Sequence, residues 1–393
     1  MSRKYFGDIT RTVLVILAGL LTLGAESESI AQKAARLHKE AIVIDTHVDT
    51  LQRVLYEGID LGIRLPSGQV DIPRLREGGM SGVFFAVWVD SVFKGQAAVQ
   101  KAERLIDAMV QTVRQNPHAI ELALTAADVD RIRKSHKVAA LMGIEGGHAI
   151  NDDLSQLAKF HQRGVRYMTL TWANNTNWAD SSGDKRRHGG LTDFGRQVVR
   201  EMNRLGMMVD ISHVSDETFY DTLKVTKKPV IASHSSCRAL ADVRRNMTDD
   251  MIRALAKNGG VIGINFYSGF LDTDFNRQLN ADKPARPATD AAASPESVAR
   301  ARYQAFITMS KLPPLPLSRL IDHIDHVVKL VGPNHVGLGS DFDGIDAAPA
   351  GIEDVSKLPN ITRALLERGY RDQDIKKILG GNFMRVLKAV TGS

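Results

Sequence analysis

The feature that most restricts the fold of this chain is a repeat of pattern rather than of residues. Eight times, a short apolar run that is often β-branched is followed by a stretch with helical periodicity. The runs fall at residues 42–46, 82–89, 139–144, 165–171, 207–211, 229–233, 260–266 and 335–340. Amphipathic segments at 97–115, 153–163, 192–205, 216–224, 248–258 and 317–331 lie between them. Strands alternating with helices give a parallel sheet covered by helices. Eight such units suit a closed barrel better than an open doubly wound sheet, and no GxGxxG follows the first run. The expectation is an α/β fold, a single (β/α)8 TIM-type barrel, with C-terminal helices over 358–368 and 372–390.

Two stretches stand outside the period. Residues 13–25 are apolar except for Thr22, follow a basic segment and end in Gly24 and Ala25. That is the plan of a signal peptide, and the run is short for a spanning helix. Residues 1–25 are therefore expected to be a signal peptide, or else an N-terminal anchor, ahead of a barrel domain over 26–393. The expected location is periplasmic or secreted, with membrane contact only through an uncleaved leader. The second stretch, 268–316, holds the low-complexity run 284–301 and Pro313, Pro314 and Pro316. It reads as an insertion between the seventh and eighth strands, either a surface excursion or a flap over the site, because that connection emerges on the catalytic face.

The net charge of +6 raises nucleic acid as a partner, but a net +2 of it lies in residues 1–25, and the rest is scattered without interleaved aromatic residues. No nucleic-acid partner is expected. The single cysteine, Cys237, forms no internal disulfide and reads as a small buried residue.

In a barrel of this kind the chemistry gathers where strands end. The first run ends in Asp45, Thr46, His47, Val48 and Asp49, and the third in Glu145, Gly146 and Gly147. The fifth ends in Asp210, Ile211, Ser212 and His213, the sixth in Ser233, His234, Ser235 and Ser236, and the eighth in Ser340, Asp341, Phe342 and Asp343. His47 and Asp49 share a face in extended backbone. Three carboxylates, Asp49, Glu145 and Asp341, crowded into one opening would resist ionisation unless a cation neutralised them. Three histidines and two carboxylates suffice for two divalent ions if one carboxylate bridges. Such a pair can activate a shared water, which makes hydrolysis the natural reaction.

In this order and on these strands, the residues resemble the membrane dipeptidase (renal dipeptidase) family of zinc peptidases, whose barrel is of the metal-dependent hydrolase type. The resemblance spans residues 41–390. It rests on the strand-end segments above together with Arg244, Arg245 and Asn246, with Asn265, Phe266 and Tyr267, and with Gly339 and Gly344. It implies that His47 and Asp49 hold one zinc (Zn2+), His213 and His234 the other, and that Glu145 and a water or hydroxide bridge them. It further implies that Asp341, with Glu145, is catalytic, that Arg245 clamps the terminal carboxylate of a small dipeptide substrate, that Tyr267 lies at the substrate, and that the enzyme is a homodimer. The chain departs from the family at Trp172, where the renal enzyme has a histidine that contacts substrate. An indole offers one N–H and no charge, so Trp172 either packs at the rim or lines the substrate site, and polarisation falls to the metals or to Asn174 or Asn175. His323 and His326, spaced three apart on an expected helix, read as a solvated or helix-packing face rather than a second metal site.

The expected function is a binuclear zinc dipeptidase that uses a metal-bridging hydroxide. The alternatives are an amidohydrolase acting on N-acyl amino acids or lactones and, from another class, a non-catalytic metal-stabilised binding protein.

Overall fold

The computed structural model describes residues 28–282 and 293–392. The leader expected over 1–25 and part of the low-complexity run lie outside these residues. Among the described residues no helix is long and apolar enough to cross a membrane.

All eight expected runs are strands. They are β1 (Ile44–Val48), β2 (Gly82–Trp88), β4 (Val138–Glu145), β5 (Val165–Thr169), β6 (Met208–Asp210), β7 (Ile231–Ser235), β8 (Val261–Ile264) and β9 (Val336–Leu338), with a short extra strand, β3 (Ile120–Leu122). Every pairing is parallel, and β1 meets both β2 and β9 while β2 meets β4, so eight strands close into a barrel. The run Gly82–Trp88, apolar along its whole length, is buried throughout, as a strand with helices outside and packed side chains inside must be. The ninth strand, β3, pairs with the first half of β4, where β5 does not reach. It lies outside the barrel.

Two apolar layers follow from this closure. The barrel interior gathers Ile44, Phe84, Leu141, Tyr167, Met208, Ile231 and Val261, and Phe383 from the C-terminal helix closes its floor against Phe84. Tyr167 needs the space above Gly143, where any Cβ would overlap its ring. The outer layer lies between strands and helices and is the larger cluster. The helix expected over 372–390 is broken at Lys377–Gly381 by a π-type turn. There Gly380 lies against the backbone oxygen of Ile42, which leaves no space for a side chain.

Among its described residues the insertion holds three helices, Ser268–Leu271, Thr273–Asp282 and Pro295–Phe306, and is irregular over 307–316. The third helix docks on segments that follow β1 and β2. Arg300 donates to the backbone oxygen of Tyr56 (2.7 Å), Arg302 pairs with buried Asp90 (2.7 Å), and the rings of Tyr303 and Tyr56 pack at 5.4 Å.

Candidate metal centre

The side chains singled out at the strand ends meet at one end of the barrel. His47 lies in β1 and Glu145 ends β4, while His234 lies in β7. His213 follows β6 by three residues, and Asp341 follows β9 by three. Backbone hydrogen bonds carry the β1 and β9 ends past the sheet together, from Asp341 N to His47 O (2.9 Å) and from Asp49 N to Phe342 O (2.8 Å). His213, Asp341 and Asp343 adopt left-handed backbone at φ 66, 66 and 63°. This is uncommon for residues with a Cβ and typical of sites where geometry overrides local preference. Gly344 sits beneath the carboxylates, where a Cβ would overlap Asp49 Oδ2 and crowd Asp341 Oδ1.

Three sets of donor atoms arise, each with its members within 4.8 Å of one another: His47, Asp49 and Glu145; Glu145, His213 and His234; and His47, His234 and Asp341. His47 Nε2 lies 3.6 Å from Asp49 Oδ2, 3.3 Å from Glu145 Oε2 and 3.9 Å from Asp341 Oδ1. On the other side of Glu145, Oε1 lies 2.7 Å from His213 Nε2 and 3.4 Å from His234 Nε2. The two imidazole nitrogens face each other at 3.0 Å.

The electrostatics of this cluster call for positive charge. Burial pushes the Asp341 carboxyl well above its ordinary range, and neighbouring Asp49 pushes it further. Burial also favours neutral Glu145, but His47, His213 and His234 outweigh it and hold Glu145 well below the usual carboxylate value. Burial opposes protonation of His47, yet Tyr167, Glu145 and Asp49 hold it well above the usual imidazole value. Burial and the Arg245 cation pull His213 down to about 4. Buried His47 Nε2 and Asp49 Oδ1 make no hydrogen bond, although buried polar atoms normally find partners. Imidazole nitrogen and carboxylate oxygen are donors that suit zinc and similar divalent ions. The residues therefore fit a metal.

The other expected residues surround this cluster at varying distance. Arg245 is half-buried, with Nη1 on Ser235 Oγ and Nη2 on His234 O, both at 2.8 Å, and its guanidinium lies 5.7 Å from the Phe270 ring centre. Tyr267 packs edge-on against Phe270 at 4.9 Å, which sets it beside Arg245. Asn265 donates from Nδ2 to Asp341 Oδ2 (2.9 Å). Trp172 and Asn174 lie on the loop after β5. Among the described residues, neither bonds or stacks with the five histidine and carboxylate side chains of His47, Asp49, Glu145, His213 and His234. Trp172 packs edge-on against Trp88 at 5.0 Å, and the Asn174 amide donates to Asn175 O (3.0 Å). The Trp172 backbone oxygen accepts from Ser181 Oγ, which also lies 3.1 Å from His213 O.

Among the described residues, His323 and His326 belong to no group that could hold a metal ion. His323 Nδ1 receives the Cys237 N–H (3.0 Å) and its Nε2 meets Leu271 O (3.1 Å), while His326 pairs with Asp249 (2.7 Å). Cys237 is buried, as expected. Two side chains behind the site, Tyr167 against His47 and Asp210 through Ser233, have no role in the motifs. Asp210 at a strand end was the available signal, whereas Tyr167 carried none, lying inside an apolar strand.

Comparison with known proteins agrees with this geometry. The family model described as membrane dipeptidase (peptidase family M19) matches residues 31–392. Dipeptidase 3 of Mus musculus is 32% identical over 371 residues, covering 92% of this chain and 67% of that protein. Dipeptidase tcpJ of Claviceps purpurea is 36% identical over 334 residues, covering 82% of this chain and 70% of that protein. A solved metallopeptidase from Rhodobacter sphaeroides, liganded with a phosphinate mimic of the dipeptide L-Ala-D-Ala, superposes with a TM-score of 0.76 at 27% identity, covering 89% of this chain and 100% of that one. With nearly its whole length matched, the chain belongs to the membrane dipeptidases, peptidase family M19, and is a metallopeptidase that hydrolyses peptide bonds.

Proposed function

We propose that the site is a binuclear zinc centre and that the chain cleaves small dipeptides bearing a free terminal carboxylate. The observation that carries this reading is the division of Glu145, with Oε2 toward His47 and Oε1 toward His213 and His234. His47 and Asp49 hold one ion in this reading, His213 and His234 the other, and Glu145 both. A bound zinc pair supplies Lewis acidity and lowers the pKa of a shared water toward about 7, making hydroxide available at neutral pH.

The remaining steps belong to the protein. Asp341 suits proton transfer, because Asn265 engages its Oδ2 while Oδ1 is turned toward the His47 side. Its raised affinity for protons lets it take one from the attacking water and return it to the departing amine. Arg245 has its two terminal nitrogens fixed while buried Nε makes no hydrogen bond. That leaves N–H groups of a planar fork for the substrate carboxylate. Tyr267, beside Arg245, lines the same end of the substrate. The dipeptide mimic bound by the Rhodobacter sphaeroides protein supports a substrate of this size. Export to the periplasm or medium after loss of residues 1–25, and assembly as a homodimer, belong to the same reading. N-terminal sequencing and light scattering of the mature protein test them.

Metal analysis combined with turnover on a dipeptide panel, before and after chelation and zinc readdition, tests the central claim. Two zinc ions per chain with activity lost and restored are expected. Activity indifferent to chelation overturns it. A second reading, an amidohydrolase on N-acyl amino acids or lactones, is favoured by Trp172 alone. Faster turnover of those compounds than of any dipeptide in the panel would establish it.

A further inference from the structure

Two buried hydrogen-bond chains beneath the site decide which nitrogen of each histidine faces the cluster. Asp210, at the end of β6, is fully buried. Its Oδ1 receives the backbone N–H of Ser212 (3.0 Å) and of Ser233 (2.9 Å), and its Oδ2 receives the hydroxyls of Thr169 (2.5 Å) and Ser233 (2.6 Å). A serine hydroxyl has one proton. With that proton given to Asp210, Ser233 Oγ meets His234 Nδ1 at 2.7 Å as an acceptor, so Nδ1 carries the hydrogen. Nε2 is then a bare lone pair directed at Glu145 and His213.

The second chain starts from Tyr167, also fully buried. Its hydroxyl lies 3.2 Å from the carbonyl oxygen of Thr46, which can only accept, and 2.8 Å from His47 Nδ1. The hydroxyl proton goes to the carbonyl and the oxygen accepts from Nδ1–H, so Nε2 is the His47 nitrogen that faces Asp49 and Glu145. In both chains the partner is a buried group, and this proton arrangement gives each of its donors and acceptors a partner.

We infer that Asp210, acting through Ser233, and Tyr167 are positioning residues that fix the Nδ1–H tautomers of His234 and His47 and so present Nε2 of each to the metal centre. Histidine ligands commonly hold their second N–H on a carboxylate or carbonyl oxygen. Here one arm is a carboxylate relayed by a hydroxyl and the other is a phenol relayed to a backbone carbonyl. The inference rests on the zinc reading above.

The test uses zinc-loaded protein with 15N-labelled histidine side chains, in which long-range proton–nitrogen correlations identify the protonated nitrogen of each ring. Nδ1–H is expected for His47 and His234. In Asp210→Asn the amide can donate to Ser233 Oγ, which turns the serine proton toward His234. Read before zinc is added, that ring should then lose its Nδ1–H signature while His47 is unchanged. Tyr167→Phe should disturb His47 alone. Zinc affinity, read by chelator competition, should fall by roughly 10–100-fold in each variant. Ser233→Ala, which cuts the relay without touching the backbone donors on Asp210, should reproduce the His234 effect if Asp210→Asn does not fold. Nε2–H at either ring in the wild type, or unchanged ring signatures and unchanged zinc affinity in the variants, overturns the inference. Failure of the wild type to take up zinc removes the underlying reading as well, and is told apart because no ring signal then moves on zinc addition.

Discussion

Buried histidines occupy two regions of this molecule, the barrel mouth and the shell of helices around it, and they differ in the fate of the second ring nitrogen. In the shell the protein completes both. His38 meets Thr362 Oγ1 at 2.6 Å and Gly78 O at 2.9 Å, and His323 is held between the Cys237 N–H and Leu271 O. At the mouth it completes one and withholds the other. His47 Nδ1 is bonded to Tyr167 while Nε2 has no hydrogen bond, and His234 Nδ1 is bonded to Ser233 while Nε2 opens onto other donors of the cluster. Burial therefore does not separate a structural histidine from a ligand. At the mouth the withheld nitrogen of His47 is directed at carboxylates of the cluster, and leaving such a buried polar atom unsatisfied costs about 1–3 kcal/mol unless something else is to bind it.

The sharpest break in this comparison is expected at Glu145. Glu145→Gln removes the one negative charge shared by both halves of the mouth, so zinc content should fall and dipeptide turnover drop to background. A variant that retained full zinc and activity would mean that the imidazole sets do not depend on the carboxylate between them. Asp341→Asn should act differently, leaving zinc content intact while turnover falls by about 10²–10⁴-fold, the range for loss of a general acid–base group. Metal analysis and turnover on the same samples separate the two.

In the shell the expected effect is on stability alone. His323→Leu leaves the Cys237 N–H and the Leu271 carbonyl without partners in a dry layer, a loss of about 1–3 kcal/mol for each. Urea denaturation should show this loss, while zinc stoichiometry and turnover per folded molecule stay at the wild-type level. A fall in zinc content would erase the distinction between the regions.

The same distinction explains what was legible in the sequence. The barrel was legible because β-branched runs such as those ending at Thr46 and Ser233 repeat between amphipathic helices. The strand Ile120–Leu122 was not, being three residues long with Glu121 at its centre, and it forms only because β4 outruns β5. The helix Pro295–Phe306 was hidden in an alanine- and arginine-rich run of low complexity. It is set by a Ser294 cap at its start and by Arg300, Arg302 and Tyr303, whose partners lie some two hundred residues away. The cluster of histidines and carboxylates was legible because polar residues at strand ends are conspicuous, while their division between two ions came from the family resemblance. Tyr167 and Asp210 were not assigned, since their bonds to His47 and Ser233 depend on the register of neighbouring strands. The left-handed backbone of His213 and Asp341 is only weakly signalled, since histidine and aspartate adopt it more readily than most residues with a Cβ but do so rarely.

The smallest expected effect, and the one that probes the shell most directly, is the response of stability to acid. Burial holds His323 down to about 4 from 6.5, and nearby Arg319 and His326 act in the same direction while Leu271 O and Asp322 oppose them. The unfolded chain therefore binds more protons at this site between those two values, and stability must rise with pH across that window. The contribution is fully present above about pH 6.5 and is lost as pH falls toward about 4, amounting to about 3 kcal/mol for a shift of this size. His38, lowered by burial as well, adds to the slope in the same sense. Ligand groups at the mouth also titrate, so the informative quantity is the difference between two metal-free proteins, the wild type and His323→Leu, each unfolded in urea at about pH 7 and about pH 5. The wild type should lose more stability than the variant on acidification, because the variant has no imidazole there to charge. Equal losses would show that the proton is taken up elsewhere, and that a histidine with both nitrogens bonded is not what sets the acid sensitivity of the shell.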